Sequence, residues 1–235
     1  TPETAKNIIN LGLRIFIEND YATHLGIKDE EYKNIGVEIK NSSKEVLNNC
    51  NLLTKVNCPS NEQILELKDK SILIGMLNPS KNQSKLKEIL NKNINIFSLE
   101  LLPRITRAQS MDVLSSQSNL AGYRSVVDSI YEFEKAIPMM MTAAGTVPAA
   151  KVLVIGAGVA GLQAIATAKR LGAIVSATDV REASREQVES LGGKFLTVEQ
   201  SENLETKGGY AKEASEDFKK KQAEMMKEAL KKNDI

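Results

Sequence analysis

Short apolar runs and amphipathic stretches alternate along this chain. Thr1 reads as a helix N-cap with Pro2 at the first helical position and Glu3 in the first turn. Ala5, Ile8 and Ile9 share one face before Gly12 stops the helix. The run 13–17 then reads as a strand. The alternation repeats with a short polar helix near 29–32 and a strand at 37–39, then a helix near 43–47 and a strand at 52–56 closed by Pro59. A helix near 63–67 precedes a strand at 71–75, and a helix over 83–90, with Leu86, Ile89 and Leu90 on one face, precedes a strand at 93–97. Short strands alternating with helices predict a parallel sheet covered on both faces.

In the middle of the chain Thr106 followed by Gln109 matches a capping box, which predicts a helix start there. Gln109, Asp112 and Ser115 or Ser116 would then share one helical face, with Arg104 in the loop just ahead. Two readings stay open for that face: a solvated surface, or a platform that hydrogen-bonds a carboxamide and positions a ring. The helical pattern resumes after Gly122 through Tyr123, Val126, Val127, Ile130 and Phe133 up to Pro138. It reads as the connection between two domains, 1–137 and 138–235. The triplet Met139, Met140, Met141 reads as packing, since methionine fills irregular gaps.

The stretch 151–179 carries the most specific signal. The β-branched and leucine run Val152 to Ile155 drops into glycines spaced G-x-G-x-x-G at Gly156, Gly158 and Gly161. Helical periodicity follows at once and stops at Gly172, and a second β-rich run ends at Asp179, eighteen residues past Gly161. Set between strand and helix, with an acid at that distance, the glycines predict a dinucleotide site. Gly156 permits the tight turn, Gly158 lets the backbone approach the pyrophosphate, and Gly161 allows the helix to pack against the sheet. The helix N-terminus faces the phosphates, and Asp179 accepts hydrogen bonds from the adenosine ribose. The same carboxylate repels a 2′-phosphate, so NAD(H) is favoured over NADP(H), a preference that Arg181 nearby weakens without reversing.

Beyond Asp179, 181–191 reads as a helix ending at Gly192-Gly193 and 194–198 as a strand. Gly208-Gly209-Tyr210 reads either as the hinge of a lid or as a surface loop, and 211–232 as a charged helix. The fold class is α/β: two Rossmann-like doubly wound parallel-sheet domains joined by a long helix, the second incomplete in this chain. Both ends look cut, since the chain opens on Thr1-Pro2-Glu3 without methionine and closes on Asp234-Ile235, where a new strand would begin.

Composition removes alternatives. With 31 basic and 30 acidic residues the net charge is +1, which gives no electrostatic footprint for nucleic acid or an anionic membrane. Cys50 and Cys58 lack metal-ligand spacing and suggest no disulfide framework, so no metal is expected. No run reaches membrane-spanning length and no leader is visible. The one histidine, His24, sits in a loop beside Gly26 and reads as a surface residue. Lys55, at a strand end, reads equally as cleft-facing or solvated.

The run from Pro103 to Tyr123, the run from Met139 to Pro148, the glycine motif with Asp179-Val180-Arg181, and Gly208 to Glu213 together resemble the proton-translocating NAD(P) transhydrogenase family. The resemblance is to the peripheral NAD(H)-binding domain of its alpha subunit. It is dense from about residue 99 onward and looser, though colinear, before it. The resemblance implies that Arg104, Gln109, Asp112 and Ser115 surround the nicotinamide. It implies that Gly156, Ala157, Gly158, Val159, Ala160 and Gly161, with Asp179, Val180 and Arg181, hold the pyrophosphate and ribose. Tyr123 would also contact the cofactor, and Tyr210 would ride on a mobile loop over it. It further implies Re/Si-specific hydride transfer to NADP(H) held on a partner domain, coupled to proton movement by a membrane domain. A homodimer is implied, on the matrix side of the mitochondrial inner membrane or the cytoplasmic side of a bacterial membrane.

Two rivals differ in chemistry. An amino-acid dehydrogenase of the alanine dehydrogenase type must move a proton from N–H or O–H, which needs a positioned acid/base; Lys55 could supply the lysine, but no histidine accompanies it. A non-catalytic NAD sensor would not need the polar face 109–115.

Overall fold

In the computed structural model, helix α1 (Pro2–Asn10) starts from Thr1, whose hydroxyl oxygen accepts the Thr4 N–H at 3.3 Å. Residues 1–198 and 215–235 are described, and they divide into two compact units, Thr1–Asp112 and Val113–Ile235.

The first unit continues with β1 (Phe16–Glu18), α2 (Asp29–Lys33), β2 (Glu38–Lys40), α3 (Ser43–Asn49), β3 (Leu52–Asn57), α4 (Asn61–Glu66), β4 (Ile72–Met76), α5 (Gln83–Asn91) and β5 (Asn95–Ser98). The Ser42 and Ser60 hydroxyls cap α3 and α4 by accepting the N–H groups of Glu45 and Gln63. All pairings are parallel, as the βα alternation requires. They form two ladders, β1-β2 and β3-β4-β5, where one sheet was expected. The reason lies in the packing, because each ladder closes over its own apolar cluster. One gathers Ala5, Ala22, Tyr32 and Val37, and the other is built around Ile64, Leu73, Leu77 and Ile89.

The second unit holds α6 (Val113–Glu132), the hairpin β6 (Met140–Thr142) and β7 (Gly145–Val147), then β8 (Lys151–Ile155), α7 (Val159–Arg170), β9 (Ile174–Thr178), α8 (Ser184–Ser190), β10 (Lys194–Phe195) and α9 (Glu216–Leu230). Its parallel sheet runs in the order β10-β9-β8. Ile235 pairs with the other edge of β8: its carbonyl accepts the Leu153 N–H at 2.7 Å, and its N–H donates to the Lys151 carbonyl at 3.1 Å. The core is aliphatic, as a chain without tryptophan must arrange. Ile165, Ala168, Val175, Ala177 and Val188 are each at most 2% exposed, and Phe195 is the aromatic exception.

Several local expectations are corrected. Thr106 caps nothing: residues Thr106–Met111 form a 3₁₀ segment whose N-cap, Ile105, has no side chain that can accept a hydrogen bond, and the α-helix starts only at Val113. Gln109, Asp112 and Ser115 therefore do not lie on one α-helical face. α6 runs without a break through Gly122 and packs within the second unit, so the division falls at Asp112/Val113, ahead of the 137/138 boundary expected. The methionine triplet is not buried packing, because Met139, Met140 and Met141 are 59%, 44% and 76% exposed, the last two on the hairpin. The helix expected from 181 begins at Ser184, because turn bonds from Ser184 N–H to the Arg181 carbonyl and from Arg185 N–H to the Glu182 carbonyl take the chain first.

Tyr32 is 2% exposed and its ring meets Tyr21 edge-on at 6.1 Å, but its hydroxyl has no hydrogen-bond partner among the described residues. An unpaired buried hydroxyl carries a desolvation cost without return. Tyr32→Phe keeps the ring contact, so stability measured by urea unfolding is expected unchanged or raised by up to ~1 kcal/mol. A loss larger than that would mean the hydroxyl is partnered after all.

Candidate functional site

β8 delivers the chain into a turn that only glycine enters without strain, with φ +93° at Gly156. The Gly156 N–H donates to the Thr178 carbonyl at 2.8 Å, which ties this turn to the end of β9. Gly158 is the N-cap of α7 and brings no side chain to cover the first helical turn. A Cβ at Gly158 would meet nothing within 4 Å, so the helix start opens onto free space. The N–H groups of that first turn and the positive end of the helix dipole suit an anion placed there. At Gly161 a Cβ would lie 1.7 Å from the Gly156 carbonyl oxygen, whereas the nearest sheet atom, Val154 Cγ1, is 3.6 Å away. Close packing within the loop, more than against the sheet, excludes a side chain at 161.

Asp179 closes the site from the β9 end. Its Oδ2 accepts the Ala157 N–H at 2.7 Å, which binds the glycine loop to the second strand. Its Oδ1 accepts the Arg181 N–H at 2.8 Å and Nε–H at 2.9 Å, and Arg181 Nη2 donates to Oδ2 at 3.1 Å. The carboxylate is 7% exposed and the Arg181 side chain 23%. Burial pushes the carboxyl upward, but the Arg181 side chain and N–H, with the Ala157 N–H, outweigh it and hold Asp179 below the ordinary aspartate value.

One residue that the sequence pattern presented as an interruption proves structural to the site. A Cβ on Gly122 of α6 would stand 2.0 Å from the carbonyl oxygen of Ala160, within the glycine loop's own helix. Nearby, Asn119 Nδ2 donates to Gln163 Oε1 at 3.2 Å. The available signal was the isolated glycine inside a long helical pattern, which marks close packing as readily as a break.

The residues expected around a nicotinamide are distributed over both units. Arg104 is exposed in the loop before the 3₁₀ segment, Gln109 is exposed on it, and the half-buried Asp112 ends it, its N–H donating to the Gln109 carbonyl at 3.2 Å. Ser115 is half-buried in the first turn of α6, in the second unit. Tyr123, beside Gly122, is 51% exposed, and Val180 lies in the turn after β9. Tyr210 and the 208–210 hinge fall outside the described residues.

Lys55 is neither solvated nor free in a cleft, since its Nζ donates to the Gln63 side-chain oxygen. His24 is exposed on a short 3₁₀ turn. Among the described residues no helix is long and apolar enough to cross a membrane, and no cluster of three candidate metal ligands occurs.

Models of the alanine dehydrogenase/PNT N-terminal and C-terminal domains match residues 1–121 and 125–235. The chain is 49% identical to an NAD(P) transhydrogenase alpha subunit of Rhodospirillum rubrum, over 100% of this chain and 63% of that protein. The crystal structure of transhydrogenase from Sinorhizobium meliloti matches with a TM-score of 0.79 at 48% identity, over 84% of this chain and 59% of that one. An L-alanine dehydrogenase structure matches with a TM-score of 0.70 at 21% identity, over 83% of this chain and 55% of that one, a likeness of fold alone. The chain thus spans less than two thirds of the length of each.

Two substitutions test the site's framework. Because the folded pKa of Asp179 is lowered, its stabilisation is present above the ordinary aspartate value of about 3.9 and is lost as pH falls through the lower folded value. Asp179→Asn is expected to cost about 2 kcal/mol at pH 7, and the gap from wild type in urea unfolding should close toward pH 3. A pH-independent gap would refute the ionic role. Gly122→Ala forces α6 off the Ala160 backbone, at about 1–3 kcal/mol by the same measurement; an unchanged midpoint would show that the contact yields freely.

Proposed function

The chain belongs to the alanine dehydrogenase/PNT family, and within it we propose that this chain is the NAD(H)-binding component of a proton-translocating, Re/Si-specific NAD(P) transhydrogenase. The observation that carries the reading is the joined unit of glycine turn, open α7 N-terminus and Asp179, with the carboxylate bonded to the Ala157 N–H at 2.7 Å. Residues Gly156 to Gly161 and the start of α7 fit a pyrophosphate, which needs a cradle free of side chains and rich in N–H donors. Asp179 fits the adenosine ribose and, as a charged group, disfavours a 2′-phosphate, with Val180 and Arg181 beside it. Arg104, Gln109, Asp112 and Ser115, together with Tyr123, are assigned to holding and orienting the nicotinamide, and Tyr210 to covering it.

Bound NAD(H) would supply the hydride donor or acceptor. Passing hydride between two nicotinamides breaks no N–H or O–H bond, so the protein's part is to hold the reacting carbons about 3–3.5 Å apart. An acid/base side chain is not required. An alanine dehydrogenase activity does require one, and Lys55 donating to Gln63 with His24 on an exposed turn offers no such pair. The similarity to a protein named as a transhydrogenase alpha subunit supports the same reading. On it the chain works as a homodimer, docked on an NADP(H)-binding domain and a membrane domain of one complex. That complex would sit at a mitochondrial inner membrane, matrix side, or a bacterial cytoplasmic membrane, cytoplasmic side.

The test mixes the protein with a transhydrogenase NADP(H)-binding domain and NADH and follows reduction of the NADP⁺ bound there. Reduction is expected, and Gln109→Ala is expected to slow it by about 10-fold or more while NADH affinity changes less, the mark of a lost orienting contact. No reduction, together with oxidation of alanine by the protein alone, would overturn the proposal in favour of the dehydrogenase.

A further inference from the structure

A carboxylate has about four lone-pair positions to offer, and on Asp179 four donors occupy them. Two are backbone N–H groups, Ala157 at 2.7 Å and Arg181 at 2.8 Å, fixed by the loop and the turn. The other two are Nε–H and Nη2–H of a single guanidinium, at 2.9 Å on Oδ1 and 3.1 Å on Oδ2. Only the guanidinium can leave by rotation of its own side chain, which at 23% is also the more exposed partner of the pair. Nη2 also reaches the Ala157 carbonyl at 3.4 Å, so the fork lies across the glycine loop as well as the carboxylate.

Two parallel N–H donors set on two carboxylate oxygens form the pattern a ribose diol would form, with one O–H to each oxygen. Guanidinium and diol are alternative occupants of one acceptor pair. From that overlap we infer that Arg181 is the specificity-determining residue of the adenosine end, its fork exchanging with the ribose diol of NAD(H) on Asp179. This rests on the NAD(H) reading above and changes its account of selectivity, because discrimination then belongs to the pair. While Asp179 is charged it repels a 2′-phosphate and also retains the arginine that could receive one. Neutralising the carboxylate removes both obstacles together, and an arginine fork then meets the phosphate bidentately.

The experiment measures NADH and NADPH dissociation constants by nicotinamide fluorescence, with the whole protein, for wild type, Arg181→Met, Arg181→Lys, Asp179→Asn and the Asp179→Asn/Arg181→Met pair. Arg181→Met keeps the aliphatic stem and is expected to bind NADH about 3- to 10-fold tighter, since no bidentate pair must first be broken. Arg181→Lys, which keeps the charge but cannot fork, should also gain on NADH. Asp179→Asn should tighten NADPH binding by about 10-fold, the worth of one charge-assisted contact, and the double variant should lose that gain. NADH bound no more tightly by both Arg181 variants, or a NADPH gain surviving in the double variant, would overturn the exchange alone. Wild-type protein that binds neither dinucleotide would overturn the NAD(H) reading, and the exchange with it.

Discussion

The carboxylate of Asp179 joins two stretches of chain that would otherwise meet only as neighbouring strands. It accepts an N–H from Ala157, 22 residues earlier, and at the same time an N–H from Arg181, two residues later. A glycine turn is cheap to form and equally cheap to deform, since glycine retains backbone freedom that other residues lack. The carboxylate removes that freedom from outside the turn. Buried to 7% exposure, it is itself held in charged form by the donors it organises. Position and charge are thus set by one set of contacts.

Around that tie the second unit is assembled by direct approach of backbone to backbone. Gly161 lies against the Gly156 carbonyl, and Gly122 of α6 lies against Ala160. Both contacts are of a length that no Cβ tolerates, so the start of α7 is wedged between its own loop and a second helix. Interiors transmit small displacements because they are close-packed. The orientation of the α7 N–H groups therefore depends on a glycine in α6 that touches no nucleotide.

The legible part of this molecule was whatever depends on local spacing. The order of strands and helices in the first unit, the helix starts at Thr1, Ser42 and Ser60, and the strand–turn–helix at 151–170 all follow from periodicity and cap residues within a few positions. Contacts distant in sequence were not legible. Nothing local distinguishes Gly122 as a packing site from Gly122 as a break. The pairing of Arg181 with Asp179 is likewise decided by a turn whose direction the residues do not announce. The Thr106–Gln109 spacing looked like a helix start, yet the segment tightens into a 3₁₀ turn, because Ile105, and not Thr106, occupies the cap position. The split of the first unit into two ladders shows the same limit, since alternation predicts parallel pairing but not which strands find one another.

A division of labour follows from where charge is placed. At the adenosine end an acid and a base are locked together beside a glycine loop, an arrangement that reads a ligand's charge and hydroxyl pattern and does no bond chemistry. The polar residues at 104–115 belong to a different stretch, one that carries amide, carboxylate, hydroxyl and guanidinium groups but no histidine. Such a set can hold a carboxamide ring in orientation. Acid/base work near neutral pH calls for a group whose pKa lies there, and the one histidine in the chain is at position 24. A reaction that shifts a hydride and leaves every N–H and O–H intact asks for nothing more than orientation. In that sense the glycine loop serves as the anchor, and the reacting ring is the concern of the stretch from Arg104 to Ser115.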